Sequence, residues 1–181
     1  MQTDLKLIMM SNSVLFSIIL VLGLTCVFAS QPRIKPNPPN VDLKMGGVLT
    51  VIDGREYFFS EFTSLDRAAS QTKCEEMNMT LISLETTVEN TAVFDFIANN
   101  GSVGDYWRWT SGLRSVNDTD WWWTYSDGSR PQAFTETSWG IGQPDTPAGV
   151  DVCTDFLVYF QGWDDDQCDS FLMSYACEQQ D

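Results

Sequence analysis

The sequence predicts an α+β fold in which two helices sit among short strands and precede a long loop-rich region. Three observations lead there. β-type runs at 48–52 and 57–59 flank an Asp53-Gly54 turn. Helical periodicity occupies two stretches between Thr63 and Asn99. Past Gly101 that periodicity stops, and residues 101–150 are rich in Gly, Ser, Thr, Asp and Trp.

Taken in order, residues 1–29 read as a secretory signal. Lys6 is a thin positive flank, 14–24 is an almost unbroken apolar run, and Val27-Phe28-Ala29 offers small residues for cleavage. The apolar run is shorter than the roughly 20 residues a spanning helix needs, so cleavage is favoured over anchoring and no membrane insertion is expected afterwards. Residues 30–47 form a Pro-rich linker, with Pro32, Pro36, Pro38 and Pro39 favouring an extended chain. The domain proper is 48–181.

Within it, the first helix is expected from a cap at Thr63 or Ser64 to about Met77, with Leu65, Ala68, Ala69 and Thr72 facing inward and Asn78 as its stop. A short strand follows at 81–84. The second helix opens on a capping box, Thr86 with Glu89, in which side chains satisfy the free N–H groups of the first turn. Val88, Ala92, Val93, Phe96 and Ile97 follow at helical spacing, and Asn99-Asn100-Gly101 ends it. The long region after Gly101 is too rich in tryptophan to read as disorder, and an irregular stretch of that length inside a domain points to function.

Composition narrows the function. The 181 residues carry a formal charge of −15, from 25 acidic and 10 basic side chains, so nucleic-acid phosphates and anionic lipid are repelled. A cation or a neutral ligand suits the chain better. There is no histidine, which excludes a His-assisted serine or cysteine nucleophile. Of five cysteines, Cys26 leaves with the signal, and Cys74, Cys153, Cys168 and Cys177 remain. An even set in an exported chain reads as two disulfides, and the sequence alone permits three pairings. With neither a C-x-x-C pair nor a histidine, zinc is the weaker use. Asn78, Asn100 and Asn117 each head an N-x-S/T glycosylation sequon.

Several motifs then follow in order. They are Cys74-x-x-x-Asn78-Met79-x-Leu81-x-Ser83 with Glu89-Asn90; Trp109-Thr110-Ser111-Gly112-Leu113; Trp139-x-x-Gly142-Gln143-Pro144-Asp145; Trp163-Asp164-Asp165-x-x-Cys168; and Phe171 with Tyr175-Ala176-Cys177-Glu178. Each is weak alone. Together, from about Tyr57 to Glu178, they resemble the C-type lectin family, especially its secreted single-domain invertebrate forms. The resemblance implies small antiparallel sheets, a long calcium-binding loop region, and the pairings Cys74–Cys177 and Cys153–Cys168.

It also implies a site. Gln143, Asp145, Asp151, Asp164 and Asp165 supply four carboxylates and an amide, and calcium takes about 6–8 oxygen ligands. The run 164–166 lacks the glycine and terminal glutamate of an EF-hand loop. The family's proline at Pro144 is cis. Its sugars ligate the calcium through two neighbouring hydroxyls, which also bond to acid and amide ligands, here Gln143, Asp145, Asp151 and Asp164. The order Gln-Pro-Asp resembles the galactose type rather than the mannose type. Two departures stand out. Asp164 replaces the usual asparagine and can only accept, and 146–149 offers no aromatic to cover a sugar face. Trp163, Trp139 and 121–123 read as core. Val152 stands where many members carry an acid for an auxiliary calcium, so a second ion is not expected.

The expectation is therefore a secreted, extracellular, non-enzymatic calcium-dependent lectin for glycans. The resemblance adds recognition of microbial surfaces in innate immunity. Glycosidase chemistry by paired carboxylates is the catalytic rival, but pooling around one cation would suppress the raised pKa of a general acid. The other reading is a domain of this fold that binds a protein or mineral surface without sugar. A homo-oligomer is left open.

Overall fold

The computed structural model describes residues 46–125 and 132–180. The expected signal and nearly all of the expected linker lie outside them, and none of the described helices is long and apolar enough to cross a membrane. Strands β1 (Gly47–Ile52) and β2 (Arg55–Ser60) form the expected hairpin, which begins one residue inside the span read as linker. Asp53 and Gly54 both take positive φ, 49° and 95°, as a two-residue turn between right-twisted strands requires. In β2, Tyr57 and Phe59 enter one core cluster and Phe58 the other, so this strand is buried on both faces.

Helix α1 (Arg67–Glu76) starts later than its sequence indicates. Leu65 is taken instead by a bridge to Met173, and Asp66 becomes the cap, accepting the Ala69 N–H at 2.7 Å. Ala68 and Thr72, expected inside, face solvent; the buried positions are Ser70 and Cys74, one turn apart. Cys74 is held by its disulfide, and that sets the face. Asn78 ends the helix with φ 59°. Strand β3 (Met79–Leu81) lies two residues earlier than expected, and 82–84 continue as buried chain.

Helix α2 (Thr87–Ala98) is capped as expected by Thr86, whose Oγ1 accepts the Glu89 N–H at 3.1 Å. The reciprocal half of the box is not made, because Glu89 accepts from the Tyr57 hydroxyl at 2.6 Å. Val93 and Ile97 are buried, whereas Val88 is 74% exposed. Val88 lies about 140° around the helix from Val93, off the buried stripe.

The remaining strands are β4 (Arg108–Arg114), β5 (Trp122–Trp123), β6 (Gln132–Ala133), β7 (Val152–Leu157), β8 (Gly162–Gln167) and β9 (Ser174–Gln179). Among the described residues they join in the order β1-β2-β9-β4-β5-β6, with β3 on β9 and β7 pairing both β4 and β8. Pairing is antiparallel except between β4 and β9, which run parallel. Phe171 falls outside β9 and is 47% exposed, so it does not take part in the closing strand.

Both disulfides form as the resemblance implied. Cys74–Cys177 ties α1 to β9, and Cys153–Cys168 joins β7 to the residue after β8. The result is an α+β domain with α2 packed on one core cluster around Phe59, Phe156 and Trp163, and a second cluster around Trp109, Cys153 and Tyr175.

Candidate metal centre

The loop carrying Gln143 is fastened to β8 by backbone. Trp139 bridges Trp163 in parallel, Gly140 N–H donates to Trp163 O at 2.8 Å, and Trp163 N–H donates to Ser138 O at 2.9 Å. This approach needs Gly162, where a Cβ would run into the Gly140 backbone. From there Gln143 N–H turns back to Gly140 O at 3.1 Å, and the Gln143–Pro144 peptide is cis.

Beyond that proline the loop meets β8 again. Asp165 Oδ1 accepts the Asp145 N–H at 2.7 Å, and its Oδ2 accepts the Thr146 N–H at 3.2 Å. Arg114 of β4 donates to Thr146 O at 3.0 Å while its guanidinium lies 5.0 Å over the Trp121 ring. Carboxylate oxygens of Asp145, Asp164 and Asp165 all lie within 4.8 Å of one another. Asp145 is exposed, Asp164 half-buried and Asp165 buried.

Burial raises Asp165, against the N–H bonds from Asp145 and Thr146 and the charge of Arg114. Burial also raises Asp164, against a bond from the Asp165 N–H, and the charge of Asp145 adds to the rise. Asp166 is pushed up to about 6 by burial and by the charges of Asp164, Asp165 and Asp145. These acids crowd one another. A cation would relieve that crowding, since each pKa rise measures the cost of holding the charged form. Gln143 adds an independent sign: its Oε1 is buried and has no hydrogen-bond partner. Three converging carboxylates and an orphaned amide oxygen fit a hard, oxygen-seeking cation.

Of the five residues read from sequence, Asp145, Asp164 and Asp165 come together, and Gln143 stands two positions before Asp145. Asp151 is not in the trio; its Oδ1 accepts the Val116 N–H at 2.7 Å. Thr146 carries no signal in the sequence, although its backbone N–H helps to fix Asp165. Trp123 and Trp163 are core as expected, while Trp121, Trp122 and Trp139 are half-buried. Asn78 and Asn117 are exposed and Asn100 is half-buried.

A second acidic group also escapes the sequence pattern. Glu85, Glu89 and Glu178 present carboxylate oxygens within 4.8 Å of one another. The Arg55 guanidinium sits among them, 3.0 Å from Glu178, 3.4 Å from Glu89 and 3.9 Å from Glu85. Glu178 also accepts the Ser83 N–H at 2.9 Å. No single motif joins residues on β2, β9 and around the start of α2, so only the fold reveals them.

No protein-family model matches the chain, and no curated protein matches it. Solved structures do match. Human lithostathine aligns with a TM-score of 0.58 at 24% identity, over 74% of this chain and 97% of that one. The mouse scavenger receptor C-type lectin carbohydrate-recognition domain gives 0.56 at 23%, over 73% and 95%. SPL-1, solved in complex with GlcNAc, gives 0.57 at 24%, over 76% and 94%. Likeness at these identities establishes the fold.

Proposed function

We propose, for a chain whose fold is that of the C-type lectin domains, that it is a calcium-dependent lectin acting outside the cell on glycans. The observation that carries this reading is the convergence of Asp145, Asp164 and Asp165, with an orphaned amide oxygen on Gln143 two residues before Asp145 in the chain. Calcium bound there supplies a positive centre that two neighbouring sugar hydroxyls can ligate. The chain's own residues then decide which sugar stays. Asp145, exposed at the rim, accepts a hydroxyl proton through a charge-assisted bond. The Gln143 amide offers its N–H to a sugar oxygen. Asp164 accepts only, so one sugar oxygen goes without a donor from that side.

Asp165 is the inner ligand, already aligned by the Asp145 and Thr146 N–H groups. Asp151 stands outside the trio, with its Oδ1 held by the Val116 N–H. The order Gln143-Pro144-Asp145 supports galactose over mannose. The stretch 1–29, read from sequence as an export signal, supports an extracellular setting, in which sugars of microbial surfaces are the natural targets.

The test is calcium calorimetry followed by retention on galactose and mannose resins. Calcium should give a saturable heat, and sugar retention should be reversed by a chelator. Asp165→Ala should lose both. Asp164→Asn restores a donor and should strengthen sugar retention while calcium affinity stays similar or falls. No heat with calcium would overturn the reading, and retention indifferent to chelator would favour a protein or mineral surface as target.

A further inference from the structure

The two disulfides have different surroundings. Cys74 and Cys177 are 0% exposed, and so is Cys153. Cys168 is half-buried and lines an open cavity of about 470 Å3 together with Val116, Val150, Asp151, Gln167 and Asp169. Thiol–disulfide exchange requires access to a sulfur, and exposed disulfides are the labile and regulatory ones. Among the described cysteines, Cys168 is the one that solvent reaches.

That asymmetry fixes the direction of attack. An incoming thiolate bonds to Cys168 Sγ as the bond to Cys153 breaks. The electron pair leaves on the Cys153 sulfur, which takes a proton from water. One S–S bond forms for the one lost, so no further oxidant or reductant enters. The cavity also selects the thiol. Its lining carries two acids, Asp151 and Asp169, both exposed, and no base. A plain thiolate is negative and is repelled at this mouth. A thiolate that also carries an ammonium group has no net charge, and its cationic end is drawn to the carboxylates.

The bridge pins the end of β8, since Cys153 pairs with Asp166 and Cys168 follows Asp165 by three residues. We propose that Cys168 is an exchange site for small aminothiols, and that the mixed disulfide formed there loosens β8 at the metal centre. The second half rests on the calcium reading, and the first does not.

The full chain, with chelator present, is exposed in turn to cysteamine, 2-mercaptoethanol and mercaptoacetate. Their thiolates are net neutral, singly negative and doubly negative. Each rate is divided by the same thiol's rate on 2-hydroxyethyl disulfide, which removes differences in thiol basicity. Samples are quenched in acid, unfolded, alkylated and mapped by mass. Cysteamine should be found on Cys168 with Cys153 free, while Cys74–Cys177 stays closed. Its normalised rate should exceed that of mercaptoacetate about tenfold at low salt, and added salt should narrow the gap. Asp169→Asn should shrink the gap, whereas Asp120→Asn, an exposed acid outside the cavity lining, should leave it unchanged. Calcium is then titrated into a Cys153→Ser chain carrying cysteamine on Cys168, which cannot reclose. Its affinity should be about fivefold below that of the closed chain, the cost of re-ordering a freed strand end. Equal attack on Cys74–Cys177, or normalised rates blind to thiol charge, would overturn the exchange site. Equal calcium affinity in the two forms would overturn its coupling to the metal centre. Calcium heat in neither form would sink the metal reading alone, since mapping decides the exchange site without calcium.

Discussion

Trp163 carries a polar atom into the core, its indole N–H, which donates to Asn90 Oδ1 at 2.8 Å. The ring is 1% exposed and meets Trp123, Phe134 and Trp139 edge-on at 5.3 to 5.6 Å. Asn90 is therefore the point at which α2 holds the strand that presents Asp164 and Asp165. Removing the acceptor leaves a buried donor unpaired, a loss of about 1–3 kcal/mol. Asn90→Ala should lower the unfolding free energy by that amount, read as a lower urea midpoint with little change in slope. It should also weaken calcium binding, although Asn90 is not in the acidic cluster. An unchanged midpoint would mean that the indole finds another acceptor, and α2 would then have no hold on the metal centre.

At the scale of elements, β8 is paired on one side by β7, in register from Val152↔Gln167 to Leu157↔Gly162, and on the other by the single Trp139 bridge. The Cys153–Cys168 disulfide closes the end of this ladder across 15 residues. By loop-closure reasoning such a link contributes about 3 kcal/mol. Replacing both cysteines by serine should leave the domain folded, lower Tm, and release amide protection first at Val152 and Gln167. Uniform loss of protection across all strands would show that the ladder has no independent opening. The two helices are legible in the sequence because caps and periodicity are local signals. The start of α1 is not, since Leu65 answers to Met173 far along the chain. The acids of the metal centre are legible through short motifs. Asp155 is not, because nothing in Val-Cys-Thr-Asp-Phe-Leu says which face of β7 will be sealed. The register with β8 decides that.

For the molecule as a whole, the excess of acids governs how stability follows pH. Glu178 on β9 is buried, and its carboxyl is raised from 4.5 to about 8 by burial and by the charges of Glu85 and Glu89, against the Ser83 N–H and Arg55. Glu85 is raised to about 7, mainly by burial, then by a bond and a charge from Glu89. Both rises point the same way. Between pH 4.5 and about 8 the folded chain binds protons that the unfolded chain has released. Stability from these groups is therefore fully present below pH 4.5 and lost as pH climbs through 7 and 8. Asp155 and Asp166 are raised as well, and they add slope of the same sign. With chelator present, Tm should be higher at about pH 5.5 than at about pH 8.5, by a stability difference of at least roughly 2 kcal/mol, since a tenfold change in proton affinity is worth about 1.4 kcal/mol. Glu178→Gln removes the titrating group while keeping an oxygen for the Ser83 N–H. It should flatten the dependence by about half, leaving the share of Glu85 and the aspartates. A wild-type Tm that rises from pH 5.5 to 8.5, or a Glu178→Gln variant with the wild-type slope, would show that Arg55 neutralises the three glutamates and that their burial carries no proton.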